Sequence, residues 1–358
     1  NAFKPQEISN TVWGLAKLRE AGETLDNNDA LKQLLLAVAK KAGQFTEPQP
    51  ISNTVWGLAK LREAGETLDN KDALKQLLLA VANADVNAFK PQEISNTVWG
   101  LASMGCIQYQ RDFLDTGFSS MEISEWPDQE QHNFVWAMAV SICEPYTRDI
   151  ENKPTDQELE VTLQAVHVLV QRLHCISNPP DDVRERNQLF QAGCVVLLFH
   201  ELGLSDQLEY EMPASLKPDF TDTTSSQTQR RAEQLFKQGA ADGEFQREYS
   251  LEYKGLKLPP VDIWRKETVD GKTIEYFVEV QGPYHYTLMG NQRFPDGATC
   301  LKRFLVQSCL QSLNESDTAV KRIYQEIPVE KIDEVRQPAT EQTQDWHVLV
   351  ESMTQLSL

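Results

Sequence analysis

The chain has 358 residues, 41% of them hydrophobic and 24% charged, with a formal net charge of −19. That length holds two or three domains with their own cores, and the composition excludes a chain disordered throughout. No apolar run approaches the ~20 residues of a membrane span, and the acidic balance excludes a uniformly basic nucleic-acid surface, so any phosphate contact has to be local. The sequence starts at Asn1 with neither an initiator Met nor a signal-like segment, as expected of a fragment of a longer protein. Its six cysteines, Cys106, Cys143, Cys175, Cys194, Cys300 and Cys309, show no CxxC pairing and mostly sit in apolar helical contexts. They read as buried thiols of an intracellular, reducing compartment.

The first third is a repeat array. Ile8-Ser9-Asn10-Thr11-Val12-Trp13-Gly14-Leu15-Ala16 recurs word for word from Ile51 and from Ile94, a period of 43 residues, and a degraded copy follows at Gln131 to Ala139. Each close copy predicts a helix beginning at Pro5, Pro48 or Pro91, where proline suits the first helical position. Ile8, Val12, Leu15 and Ala16 form its apolar stripe. A second helix is expected from Asp29 to Lys41, stopped near Gly43. Two-helix units of this length cannot bury their apolar faces alone and stack into an α-solenoid, here over residues 1–145. Trp13, Trp56, Trp99 and Trp136 are expected in the core between units. Asn10, Asn53, Asn96 and Asn133 share one slot, which serves either as a bridge between units or as a ligand-facing position. The units differ chiefly at their entry, where Lys4 and Glu7 become Glu47 and Pro50 and then Lys90 and Glu93; these are candidate reading or tuning sites, or else drift in an exposed loop.

Residues 146–224 read as a helical connector. Leu159 to Leu173 and Asn187 to His200 carry apolar helical patterns, separated by Pro179-Pro180. His167, His174 and His200 lie on or beside those patterns and read as structural. The Ser/Thr-rich stretch from Thr221 to Thr228 is a linker or helix cap, and Gln229 to Phe236 opens a helix.

Chemistry concentrates in residues 225–328. Val261-Asp262-Ile263-Trp264 and Phe277-Val278-Glu279-Val280-Gln281 alternate as strands, and Asp270-Gly271 between them favours a two-residue type I′ turn. With that turn, Asp262 faces Glu279, Ile263 faces Val278 and Trp264 faces Phe277. Asp262, Glu279 and Gln281 then share one face, while Val261, Ile263, Val278 and Val280 share the other. Like charges opposite each other cost roughly 0.2–1 kcal/mol. A divalent cation held by Asp262, Glu279 and a backbone carbonyl offsets that, and hard oxygen ligands suit Mg²⁺ or Mn²⁺. A solvated acidic patch is the alternative.

Glu279-Val280-Gln281-Gly282-Pro283-Tyr284-His285-Tyr286, followed by Gly297-Ala298-Thr299-Cys300-Leu301-Lys302-Arg303-Phe304-Leu305, resembles the RAP domain, whose signature is a strand ending in Glu-x-Asp-Gly-Pro-x-His and then a helix with a Leu-Lys-Arg core. The resemblance spans roughly Ser225 to Pro328 and departs at Gln281, where the family usually has Asp. The array is similar to octotricopeptide-type (FAST-kinase-like) helical repeats, which accompany RAP domains. It implies a fold of α plus α/β parts: the solenoid, the helical connector, a small mixed-sheet domain similar to PD-(D/E)xK nucleases, and an acidic tail over residues 329–358. It also implies single-stranded RNA as partner, an organelle or a host cell as location, and a role in RNA processing or stability. Asn10, Asn53 and Asn96 would face bases, and Tyr284, Tyr286, Lys302 and Arg303 would clamp the strand. As a Mg²⁺- or Mn²⁺-dependent endoribonuclease, the domain would hold metal on Asp262 and Glu279, with Gln281, Lys302 and His285 completing the site. Metal-independent RNA binding and a protein-interaction scaffold built on the solenoid are the alternatives.

Overall fold

The computed structural model describes residues 3–24, 28–66, 71–115, 123–148, 156–176, 179–201, 210–216, 218, 227–238, 244–282, 285–289, 292–329 and 332. Among the described residues are twelve α-helices and a four-stranded mixed sheet, with two further two-stranded pieces. The chain divides into two compact units that are not contiguous: residues 1–217 with 284–304, and residues 218–283 with 305–358. The segment 225–328, expected as one domain, is therefore shared between them.

The helical unit opens with three helix pairs: α1 (Pro5–Glu20) and α2 (Asn28–Lys41), α3 (Pro48–Glu63) and α4 (Lys71–Ala82), α5 (Pro91–Ser103) and α6 (Ile107–Asp115). The degraded copy forms α7 (Asp128–Cys143). First helices pack on first helices, α1 on α3, α3 on α5 and α5 on α7, while α2 packs on α4 and α4 on α6. Glycine sets how close they come: a Cβ on Gly57 would lie 2.7 Å from Val12 Cγ1, and one on Gly100 would lie 2.9 Å from Val55 Cγ1.

The repeated tryptophan is 44% exposed at Trp13, 9% at Trp56, 3% at Trp99 and 2% at Trp136. Trp13 thus departs from the expected buried core. Among the described residues α1 has a first-helix neighbour on one side only, whereas α3 and α5 have one on each side. The stack also carries cations: Lys17 Nζ lies 4.6 Å from the Trp56 ring centroid and Lys60 Nζ 4.4 Å from that of Trp99. Such contacts contribute about 0.5–2 kcal/mol each. Lys60 also pairs with Glu20 at 3.5 Å and Glu63 at 3.3 Å. The third copy has Ser103 in the lysine slot, and there Trp99 meets Trp136 directly, with centroids 6.4 Å apart.

The variable entry positions serve the helix ends. The Lys4 amide donates to Glu7 Oε2 at 2.9 Å and the Lys90 amide to Glu93 Oε2 at 2.8 Å, each closing the first turn of its helix. Pro50 fills the same slot in the middle copy and is buried instead.

After the array come α8 (Pro145–Arg148), α9 (Asp156–Cys175) and α10 (Val183–Glu201), with Pro179-Pro180 between the last two. His167, His174 and His200 are exposed rather than part of the apolar faces.

The sheet unit begins with α11 (Gln227–Gln238), followed by β1 (Glu244–Tyr249), β2 (Glu252–Tyr253), β3 (Leu256–Lys257), β4 (Val261–Val269) and β5 (Lys272–Gln281). In the helical unit, β6 (Tyr286–Met289) pairs with β7 (Gln292–Pro295). Helix α12 (Gly297–Ser316) follows, with the boundary between units falling after Phe304, and β8 (Val320–Pro328) closes the sheet. Sheet order is β1-β4-β5-β8, antiparallel except for the parallel β5–β8 edge. Asp270 and Gly271 both have positive φ, 51° and 76°, as a type I′ turn requires. The ladder from Val269↔Lys272 to Ile263↔Val278 keeps the register expected from that turn. Ile263, Tyr276, Val278, Val280 and Ile327 form the apolar face, covered by Ala232 of α11 and joined by Ile332. Beyond Val329 and Ile332 the acidic tail lies outside the described residues.

Candidate functional site

On the polar face of the sheet the register carries Asp262 opposite Glu279, and β8 sets Glu326 beside Glu279, so three acids lie in one row across three strands. Asp262 is spent locally. Its Oδ2 accepts the Val280 amide at 2.7 Å and its Oδ1 accepts Gln229 Nε2 at 3.1 Å. Gln229 also donates to Glu248 Oε1 at 2.5 Å, and Tyr324 Oη donates to Glu326 Oε1 at 3.0 Å. The cost of opposed acids is therefore offset by hydrogen bonds to Asp262, which need no ion. Glu279 and Gln281 are buried, and Gln281 Oε1 has no hydrogen-bond partner among the described residues.

Among the described residues no group of three or more His, Cys, Asp or Glu is placed to hold a metal. The donors that fit Mg²⁺ or Mn²⁺ are fewer: the carboxylates of Asp262 and Glu279, each Asp262 oxygen keeping a second lone pair, and the orphaned amide oxygen of Gln281. Sites for Mg²⁺ commonly use only one or two carboxylates, completed by water and substrate phosphate.

His285, Tyr286, Lys302 and Arg303 belong to the other unit, while Tyr284 lies outside the described residues. His285 is exposed, with Nδ1 3.1 Å from Thr299 Oγ1. Asp296 caps α12: its Oδ1 accepts the Thr299 amide at 2.7 Å, and its own amide donates to the His285 carbonyl at 2.8 Å. Burial raises the Asp296 carboxyl, opposed by the Arg62 guanidinium and the Thr299 amide. Arg303 is bound to the protein itself, its Nη1 donating to the Thr147 carbonyl at 3.1 Å and its Nη2 to Tyr286 Oη at 3.5 Å. Lys302 is half-buried on α12.

The array presents amides. Gln6 and Asn10 lie one turn apart on α1, with Gln6 Nε2 donating to Asn10 Oδ1 at 2.9 Å. Gln49 and Asn53, Gln92 and Asn96, and Gln129 and Asn133 repeat the pair on α3, α5 and α7. Each of these glutamines is exposed, as is Asn10, while Asn53, Asn96 and Asn133 are partly exposed; buried Ile and Val positions lie beside them, except that the degraded copy buries Gln131 and His132 in place of Ile and Ser.

Sequence reasoning did not reach Glu326, Asp296 or Arg62, and it took Gln229 only as the opening of a helix and Thr299 only as part of the RAP-like stretch. Asp296-x-x-Thr299 ahead of an apolar run is a readable cap signal. Glu326 needed the non-local β8 pairing. Arg62 has the same letters around it as Arg19, which makes a different contact, an ion pair to Glu66 at 3.0 Å.

Comparison with family models, curated proteins and solved structures finds no match. No helix among the described residues is long and apolar enough to cross a membrane. Cys106, Cys143, Cys194, Cys300 and Cys309 are buried free thiols, and burial pushes Cys106 and Cys309 up to about 12.

Proposed function

We propose that this protein binds single-stranded RNA along a solenoid formed by its 43-residue repeats and acts in RNA processing or stability. The observation that carries the reading is the Gln/Asn pair repeated on four successive first helices, α1, α3, α5 and α7. Amides offer both donors and acceptors to base edges, and one such pair per repeat matches the way helical-repeat proteins read one base per unit. The resemblance of residues 225–328 to the RAP domain points the same way. His285 and Tyr286 then stack on or bond to the strand, while the Arg303 guanidinium braces Tyr286. An excess of acid over base predicts affinity that depends on base contacts more than on phosphate, with a shallow salt dependence.

Cleavage is the second reading, favoured by the acid row and by the buried Gln281 oxygen two residues after Glu279 on the same strand. A Mg²⁺ or Mn²⁺ held by Asp262 and Glu279 would supply an activated water and neutralise charge on the scissile phosphate. The protein's own part is to keep both carboxylates in place: the Val280 amide and Gln229 hold Asp262, and burial holds Glu279. The test incubates the full chain with labelled single-stranded RNA in Mg²⁺ or Mn²⁺ over a salt series, with EDTA and the Asp262→Ala/Glu279→Ala variant as controls. Retention without cutting supports binding alone, and cutting abolished by EDTA and by the variant supports the nuclease. No retention at ~50 mM salt, where phosphate contacts are strongest, overturns both and leaves the protein-interaction scaffold.

A further inference from the structure

The 43-residue period lets each position of the first helix pair be compared with its own copy in the second. Trp13 and Leu18 are 44% and 48% exposed, whereas their copies Trp56 and Leu61 are 9% and 0% exposed. On α2, Leu34 is half-buried where its copy Leu77 is fully buried. Leu36 and Leu79, by contrast, are alike at 37% and 40%. The surplus exposure of α1 and α2 is therefore selective.

The second pair owes its burial to contacts that α1 supplies. Val12 fills the groove at Gly57, where a Cβ would lie 2.7 Å from Val12 Cγ1. Lys17 Nζ lies 4.6 Å from the Trp56 ring centroid, and Glu20 pairs with Lys60 at 3.5 Å. Arg19 donates from Nη2 to the Ala64 carbonyl at 2.6 Å, with Nε 3.0 Å from Glu66. The groove and cation contacts recur between α3 and α5, through Val55 at Gly100 and Lys60 at Trp99. Every one of these groups comes from the run Val-Trp-Gly-Leu-Ala-Lys-Leu-Arg-Glu that starts at Val12 and again at Val55.

Helix α1 carries the receiving half of the same contacts. Gly14, Trp13, Lys17, Ala21 and Glu23 are the copies of Gly57, Trp56, Lys60, Ala64 and Glu66. A Cβ on Gly14 meets nothing within 4 Å, and Trp13, Lys17, Ala21 and Glu23 are exposed. A partner for this face needs a β-branched residue for the Gly14 groove, an ammonium for the Trp13 ring, and a guanidinium and a carboxylate just beyond it, with a second apolar helix over Leu34. A second copy of the chain has no such side to offer, because the donating side of α1 is covered by α3 and that of α3 by α5. The degraded helix α7 has Val140, Ile142 and Cys143 in the Lys, Arg and Glu places.

We propose that the outer face of α1 and α2 is a docking surface for one further helix pair of the array's own type, joined in line ahead of α1, whose first helix ends in this Val-to-Glu run. Docking covers Trp13 with a cation as Trp56 is covered, and fills the Gly14 groove. The proposal does not depend on the RNA reading.

The test extends the full chain by a copy of residues 44–86 placed directly before Asn1. The junction is native in sequence, because residues 87–96 repeat residues 1–10 letter for letter. The extended chain is expected to melt at a higher temperature, and acrylamide quenching of Trp13, read as the difference between each chain and its Trp13→Phe variant, is expected to fall. Gly14→Ala and Gly14→Leu are measured first in the unextended chain, where open space at Gly14 predicts an unchanged or raised melting temperature. In the extended chain both should remove the gain and restore quenching, as should Lys60→Ala/Arg62→Ala made in the added copy alone. Unchanged quenching of Trp13 in the folded extended chain overturns the proposal, and so does a gain that survives both Gly14 variants. A wild-type chain that sediments as a dimer, and as a monomer after Trp13→Ala, also overturns it and assigns the face to a second copy.

Discussion

The two units solve the problem of burial in different ways. In the array one helix sequence is used repeatedly, and its surroundings come from its neighbours: the same tryptophan is 44% exposed in α1 and 3% in α5. In the sheet each residue is used once, and alternation alone assigns it to the apolar cluster of Ile263, Val278 and Val280 or to the row of Asp262, Glu279 and Glu326. A repeat therefore tolerates change at one copy and not at another, whereas a sheet face tolerates change according to parity. Polar groups follow suit: the array exposes its glutamines, while the sheet buries Glu279 and satisfies the half-buried Asp262 through the Val280 amide and Gln229.

The widest break in that comparison is a tryptophan deletion at two copies. Trp99→Ala should cost about 3–5 kcal/mol, the usual range for a buried aromatic, whereas Trp13→Ala should fall within about 1 kcal/mol because its ring is already wet. Denaturant unfolding of both variants measures the difference, and equal losses would show that the tryptophan acts through its own helix rather than its neighbours. Next comes Gly105→Ala. Its Cβ would collide with the Pro295 carbonyl at a positive φ, so a loss of about 2–4 kcal/mol is expected. The formally similar Gly22→Ala, with φ +86° and open space around it, should lose only about 1 kcal/mol.

The sheet offers an alkaline counterpart. Burial, followed by the Glu267 carboxylate, raises the Tyr276 hydroxyl to about 12. Because this folded value lies above the unfolded one near 10, the tyrosine's contribution is fully present below pH ~10 and is lost as pH climbs through ~12. Its size is about 1–3 kcal/mol. Tyr276→Phe should flatten the fall in stability over that window, as read by urea unfolding at successive pH values; an unchanged slope would remove Tyr276 as its source. The smallest effect is Gly271→Ala at the hairpin tip, about 1 kcal/mol from the positive φ alone. A larger change in melting temperature would mean that the turn governs register as well as closing it.

Much of this was legible in the residues. The proline-led helices, the Asp270-Gly271 turn and the pairing of Trp264 with Phe277 follow from spacing and turn chemistry, which are local. What was not legible depends on partners far along the chain. Trp13 and Trp99 have the same flanking letters, so only the stack tells them apart. Glu326 joins the acid row through a parallel edge whose strands are separated by α12. Segment 284–304 reads as part of one domain with β5, but Gly105, Gly297 and Arg303 commit it to the helical unit through close backbone approach and the Thr147 carbonyl. Arg303 reads as a phosphate clamp by residue type, and only the fold shows that its guanidinium also bonds the Thr147 carbonyl and Tyr286 Oη.

The central claim is that the Gln/Asn pairs on successive first helices read RNA. The direct measurement is the sequence of RNA crosslinked to the full chain, compared among wild type, Asn53→Ala and Asn96→Ala, with melting temperature recorded for each. Removing one amide should cost about 1 kcal/mol of binding, the net value of one hydrogen bond, and should relax base preference at one position, displaced between the two variants by the step of one repeat. RNA pools identical across all three, from proteins that remain folded, would contradict the claim.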